Sequence, residues 1–293
     1  MRKLLLILSM LFGATALFGK TVILTESNTL QMNAYYNSDS VAQVIQQAVE
    51  LDAALPAGEP LFLVINSGGG YISAGLNMIN ALNGLNRPVH TVTMYAASMG
   101  FQTVQGLSGD RLLLDTATLM SHRARGGFFG EFPNGNLDSR RKFWLSRMMS
   151  QDIKVVKRNK LLKSVKGYRK LIANEFWCEG IGCLKTGFAD NIVKAKCDSS
   201  LKGTKMVHTN FVIQGYPVVL EQEYSKCPLQ PYVLSWNVYL QGRPIWEKPQ
   251  KNGEAENSYN NLLDDHRMTK VIIEEARKKM QAYNSKSPIL ILK

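Results

Sequence analysis

Metal-binding spacings are missing from this chain. Its four cysteines and four histidines form no CxxC and no HxxxH pair, so neither a zinc site nor another metal centre is expected. The phosphate-cradling loops GxGxxG and GxxxxGK[ST] are also absent, which leaves no motif for a nucleotide cofactor. No cofactor is expected. Acidic residues are in deficit, 23 against 35 Lys and Arg, for a net charge of +12. No base-stacking motif accompanies that excess, so nucleic acid is not an expected partner. Internal repeats and low-complexity tracts are lacking. The most apolar stretch, Leu4 to Phe18, falls short of the roughly 20 residues that span a bilayer.

What is present at the amino terminus reads as an export signal. Met1-Arg2-Lys3 is a basic start, Leu4 to Phe12 an apolar run, and Ala14-Thr15-Ala16 a small-x-small site, with Gly19 as an alternative end. This predicts a signal peptide over 1–19 and a periplasmic or secreted chain; an uncleaved membrane anchor is the alternative. Export and an even cysteine count predict disulfides among Cys178, Cys183, Cys197 and Cys227, with three connectivities open. Nearest-neighbour pairing is the natural choice, Cys178 with Cys183 and Cys197 with Cys227. The second bond would tie the region before residue 197 to the region beyond it.

The 293 residues suit one or two domains, and 45% hydrophobic content supports a sizeable core. Up to residue 195, strand-like and helical stretches alternate. Val22 to Leu24, Leu61 to Ile65 and Val89 to Met94 read as strands, and Val41, Val44, Ala48 and Leu51 as one helix face. That alternation predicts an α/β class with a largely parallel sheet. The polar stretch 198–205 reads as a linker. Beyond it, His208 to Ile213, Tyr216 to Leu220 and Tyr232 to Leu240 look like strands. A polar loop over 248–261, a helix over Met268 to Ala282 and a closing strand over Ile289 to Leu292 complete a small α+β appendage of unassigned role over 206–293.

Chemistry concentrates in three places. Ser98, in Ala96-Ala97-Ser98-Met99-Gly100, lies between a strand and a short helix. A serine there is uncrowded and sits at a helix N-terminus that favours negative charge, which suits a nucleophile whose reaction builds an oxyanion. The plainer reading is a helix N-cap. Asn66-Ser67-Gly68-Gly69-Gly70 follows a buried strand; its glycines allow a tight turn and a close approach to a ligand, or serve as a turn alone. His122 ends another strand-like run and opens a glycine-containing loop. It is either structural or the near-neutral base that a nearby serine needs.

The order of these pieces resembles the proteolytic subunit of the Clp protease, a member of the ClpP/crotonase superfold. That family carries an Asn-Ser-Pro-Gly-Gly turn, an Ala-Ala-Ser-Met-Gly nucleophile and a Met-Ile-His base segment. Here they are Asn66 to Gly70, Ala96 to Gly100 and Met120-Ser121-His122. Gly109-Asp110-Arg111 and the segment Glu179 to Asp190 continue the likeness, which covers residues 20–195. The resemblance implies a repeated ββα core over 20–197 and a serine endopeptidase acting through an acyl-enzyme on Ser98. It implies His122 as general base, an oxyanion hole from the N–H groups of Gly70 and Met99, and substrate binding by Gly68, Gly69 and Gly126.

Two departures stand out. The family's third residue, an aspartate two positions before a Phe, falls on Asn174; Glu175 takes the place if the register shifts by one. An amide can orient an imidazole, but an Asp-to-Asn change has cost another triad roughly four orders of magnitude. The turn's proline is replaced by Gly68. Rival readings are a catalytically silent binding or assembly protein and a Ser-Lys enzyme of the signal-peptide-peptidase type. A peptide or protein substrate and a homo-oligomer are implied, and no ATPase unfoldase is expected outside the cytoplasm. The basic stretch from Arg140 to Lys170, with Phe143, Leu145, Met148, Met149, Ile153, Val156 and Leu161 interspersed, predicts a helix with one apolar side. Its charge reads as a solvated face or as a surface for anionic lipid or cell-wall polymer.

Overall fold

A run such as Leu-Phe-Leu-Val-Ile is apolar on both faces, so it belongs in the middle of a covered sheet. A computed structural model of the chain places it there: Leu61–Ser67 is a strand buried at every position. The structure describes residues 20–125, 135–213, 216–240 and 243–246. The signal-peptide reading over 1–19, Gly126, the 248–261 loop, the 268–282 helix and the closing strand 289–292 lie outside these residues.

The chain divides into two units, Met1–Lys196 and Cys197–Lys293. The first is built on a seven-stranded sheet. Its strands are β1 (Thr21–Leu24), β2 (Thr29–Met32), β3 (Leu61–Ser67), β4 (Val89–Ala97), β5 (Arg111–Ser121), β6 (Phe176–Glu179) and β7 (Asn191–Cys197). They lie in the order β1-β7-β5-β4-β3-β2, with β6 added to β5. Parallel pairing runs from β2 through β3 and β4 to β5 and on to β7, whereas β6 is antiparallel. Helices α1 (Ser38–Ala54), α2 (Ile72–Asn83) and α3 (Met99–Gly106) connect the parallel strands. This is the mixed α/β class that the alternating pattern and the family likeness imply.

Local chemistry explains where these elements begin. Asn37 caps α1: its Oδ1 accepts from the Ser40 N–H at 2.9 Å, and Ser40 Oγ accepts from the Asn37 N–H at 3.2 Å. The apolar faces of α1 and α2, Val41, Val44 and Ala48 with Leu76, Ile79 and Leu82, join β3 in one core.

The motif around Arg111 finds its purpose in a cross-link. Arg111, 4% exposed, donates to both carboxylate oxygens of Asp190, Nη2 at 2.6 Å and Nε at 3.1 Å. It also donates to Gln105 Oε1 and the Gly187 carbonyl. The link fastens the start of β5 to the start of β7. Burial pushes the Asp190 carboxyl up, but the Arg111 hydrogen bonds and the nearby guanidinium charges outweigh it and hold it below its ordinary value. A carboxyl depressed in the folded state contributes stability that is complete above its unfolded value, about 4, and is lost as pH falls through the lower folded value. The melting-temperature difference between wild type and Asp190→Asn should therefore be full at pH 6 and shrink below about pH 4. A difference that stays constant to pH 2 would contradict this.

The basic stretch departs from expectation. It forms two helices, α4 (Gly135–Arg158) and α5 (Val165–Leu171). The buried stripe of α4 is Gln151, Asp152 and Val155, flanked by half-buried Trp144 and Met148, while Phe143, Leu145, Met149, Ile153 and the later Leu161 are exposed. The apolar residues are spread around the helix, and the face turned inward includes two polar residues. Asp152 is one of them: it accepts from Arg169 Nε at 2.6 Å.

The second unit contains a four-stranded antiparallel sheet, β8 (Thr204–Ile213), β9 (Tyr216–Ser225), β10 (Val233–Leu240) and β11 (Arg243–Trp246). The expected linker is partly structured. A 3₁₀ turn, Ser199–Leu201, is capped by Asp198, which accepts from the Ser200 N–H at 2.8 Å, and β8 starts at Thr204. Both cysteine pairs lie at disulfide distance, Cys178 with Cys183 and Cys197 with Cys227. The second closes the 3₁₀ turn and the β8–β9 hairpin into one loop.

Candidate active site

Three strand ends on the same side of the parallel sheet build the site. Strand β4 runs directly into α3, and the turn between them is Ser98. Its backbone is strained, with φ 56° and ψ −113°, far outside the usual regions for a residue with a Cβ. Hydrogen bonds hold it on both sides. The Ser98 N–H donates to the Met120 carbonyl at 2.9 Å, and the Ser98 carbonyl accepts from the Gln102 N–H at 3.1 Å. The N-cap reading does not hold, because the Ser98 side chain makes no capping bond. Its Oγ instead lies 2.8 Å from His122 Nε2.

His122 is the first residue after β5. The residue before it, Ser121, is buried, with its hydroxyl 2.8 Å from Tyr168 Oη. Tyr168 in turn accepts from Gln102 Nε2 at 3.4 Å. Burial pushes the Tyr168 hydroxyl up to about 12, so it stays protonated and available to this network. The network ties α5 to β5 and α3, the two elements that carry His122 and Ser98. Nothing in the sequence signals it, since its members are single polar residues far apart in the chain.

The glycine turn lies against the elbow. Gly69 has φ +98°, and a Cβ there would come within 2.7 Å of the Met99 nitrogen and 2.8 Å of Ser98 Cβ. Gly70 meets Tyr36 in the same way, with an added Cβ 2.6 Å from the Tyr36 nitrogen. Ser67 shapes the turn by accepting from the Gly69 N–H at 3.2 Å and donating to the Ala34 carbonyl at 2.6 Å. Gly68 is exposed. Met99 opens α3, so its N–H has no acceptor within the helix.

The structure does not join Asn174 to His122. Asn174 is exposed at the end of a 3₁₀ turn, Ile172–Asn174, and His122 Nδ1 is buried without a hydrogen-bond partner among the described residues. Glu175, at φ 65°, is engaged elsewhere: it accepts from Arg125 at 3.1 Å and from Trp177 Nε1 at 3.3 Å. Among the described residues, no group of His, Cys, Asp and Glu is arranged to hold a metal.

A hydroxyl within hydrogen-bond distance of an imidazole is an arrangement that hydrolases of several folds share. Comparison with known proteins carries that class to a family. The model described as Clp protease matches residues 17–196, more than half of the chain. An ATP-dependent Clp protease proteolytic subunit of Streptococcus mutans is 30% identical over 153 residues, covering 52% of this chain and 76% of that protein. Its namesake in Streptococcus suis is 30% identical over 152 residues, with 51% and 76% covered. An ATP-dependent Clp protease proteolytic subunit 1 of Frankia casuarinae is 36% identical over 118 residues, 39% of this chain and 55% of that protein. The chain belongs to the Clp protease family, and its class is that of the peptidases.

Proposed function

We propose that this chain is an exported serine endopeptidase that hydrolyses peptide bonds in peptide or protein substrates. The hydrogen bond between Ser98 Oγ and His122 Nε2, at 2.8 Å, carries the reading. His122 Nε2 takes the hydroxyl proton as Oγ attacks the scissile carbonyl. The carbonyl oxygen becomes an oxyanion held by the N–H groups of Gly70 and Met99. His122 then gives the proton to the departing amine, leaving an acyl-enzyme on Ser98, which water hydrolyses by the same route in reverse. Gly68 and Gly69 offer their backbone to the substrate, and the family likeness adds Gly126 to that role. Ser98 bonds to an imidazole rather than an ammonium, which disfavours a Ser-Lys dyad.

Asn174 is the orienting residue in this proposal. Catalytic hydrogen bonds in a free enzyme often tighten only with substrate bound, and Nδ1 of His122 is the atom left for the amide oxygen to accept from. Asn174→Asp should raise the acylation rate at alkaline pH and move the pH profile upward, because a carboxylate stabilises the imidazolium. A profile and rate identical to wild type would remove Asn174 from the mechanism. If Glu175→Ala is the damaging change instead, the orienting role passes to Glu175.

The amino-terminal signal pattern and the two cysteine pairs support export, since disulfides persist in oxidising compartments. A homo-oligomer without an ATPase partner follows from the family and that location, and the basic α4–α5 region is proposed as a contact for an anionic surface. A silent binding protein is the competing reading, favoured by the unpartnered His122 Nδ1. Incubating the purified chain with a disordered protein substrate separates the two. Cleavage that a serine-directed inhibitor stops is expected; no cleavage by the purified oligomer would favour the silent reading.

A further inference from the structure

Tyr168 takes no part in the chemistry above, yet its bonds close a ring through the serine–histidine pair. The Gln102 N–H donates back to the Ser98 carbonyl at 3.1 Å. The side chain of the same glutamine donates from Nε2 to Tyr168 Oη at 3.4 Å. Tyr168 Oη lies 2.8 Å from Ser121 Oγ, and either hydroxyl can be the donor. One peptide bond joins Ser121 to His122, whose Nε2 lies 2.8 Å from Ser98 Oγ. The ring therefore passes through α3, α5 and the end of β5, three elements distant in the chain.

A stable core does not require these polar groups. Gln102, Ser121 and Tyr168 are all buried, so each has given up water for its partner. Replacing both partners of such a bond by apolar groups of the same shape is often nearly neutral. The family's Met-Ile-His segment carries an apolar residue where this chain has Ser121. The tyrosine is firmly seated. Its ring packs on Phe188 with centroids 6.4 Å apart, and the next residue, Arg169, donates to Asp152 of α4 at 2.6 Å. His122 has no partner at Nδ1 among the described residues, so in the free protein the place of Nε2 depends on the strand end that carries the ring.

We propose that Tyr168 is a positioning residue, whose hydroxyl fixes the end of β5 against α3 and so sets the separation of Ser98 and His122. The assignment rests on the serine-peptidase reading above. The bond from the Ser98 N–H to the Met120 carbonyl, at 2.9 Å, is one link between the elbow and the strand end. Tyr168 adds a second, one residue from the base. Two links fix an orientation that one leaves open. A misplacement of about 1 Å in a reacting pair can cost about a hundredfold in rate.

The test measures kcat and KM on one peptide, the rate of Ser98 labelling by a fluorophosphonate, and the melting temperature. Tyr168→Phe and Ser121→Ala should each lower kcat by about ten- to a hundredfold, with labelling slowed in step. KM should change by less than about twofold, since no substrate contact is removed. The double variant should be no slower than the slower single one, because both break the same ring. A core truncation on α1, Val44→Ala, should lower the melting temperature and leave kcat unaltered. Unaltered kcat in Tyr168→Phe would overturn the assignment, as would losses that multiply in the double variant or an equal loss of kcat in Val44→Ala. If Tyr168→Phe does not fold, unaltered kcat in Ser121→Ala overturns it in the same way. Wild type separates the failures. A wild type that labels at Ser98, beside variants with unaltered kcat, removes the positioning role and leaves the serine peptidase standing; a wild type that neither labels nor cleaves removes both.

Discussion

Replacing Ser98 with alanine should lower peptide hydrolysis by about a millionfold, the loss seen when the nucleophile of a serine enzyme is removed. The fold should survive. Ser98 caps nothing with its side chain, so the variant forfeits one hydrogen bond to His122, a contribution of about 0.5–1.5 kcal/mol. The strained backbone is held by the Met120 and Gln102 bonds, which the side chain does not supply. Circular dichroism and thermal melting should therefore match wild type closely while turnover disappears. Turnover that persists in Ser98→Ala would show that another group attacks the substrate. A variant that fails to fold would show that the hydroxyl serves the structure first.

The second large effect belongs to Gly69. Gly69→Ala should reduce both stability and rate, unlike Ser98→Ala. An L-residue at φ +98° is strained by about 1–3 kcal/mol, and the added methyl lies 2.7 Å from the Met99 nitrogen and 2.8 Å from Ser98 Cβ. Relief requires the turn and the elbow to move apart, which displaces the Met99 N–H from the oxyanion position proposed for it. Misplacing or losing one such donor costs about a hundred- to thousandfold in kcat. The paired measurements are the melting temperature and kcat on one peptide. Unaltered kcat in a folded Gly69→Ala protein would mean that this contact does not set the oxyanion geometry.

Sequence patterns revealed the parallel core and the serine–histidine pair because these depend on local signals. Leu61 to Ile65 announces a strand buried on both faces. Ser98 and His122 each close a strand inside a short recognisable string. Two readings depend on partners that lie far away in the chain. The basic region reads as one helix with an apolar side, yet the face of α4 turned inward includes Gln151 and Asp152, and Asp152 is satisfied by Arg169, a pairing across 17 positions that no helical periodicity encodes. Asn174 aligns with the family's third residue, yet the chain turns at Glu175 with positive φ and Arg125 and Trp177 engage that carboxylate. Spacing along a chain says which residue type occupies a position, not which way a three-residue turn faces. The Ser121–Tyr168–Gln102 network escaped notice for the same reason: each member is an ordinary polar residue until the fold brings them into contact.

In the proposed mechanism His122 activates the Ser98 hydroxyl. Reacting the purified chain with a fluorophosphonate and mapping the adduct by peptide mass spectrometry measures this directly. One adduct, on Ser98, forming far more slowly in His122→Ala, is the predicted result. No adduct, an adduct on a different serine, or labelling of Ser98 at the same rate without His122 would contradict it.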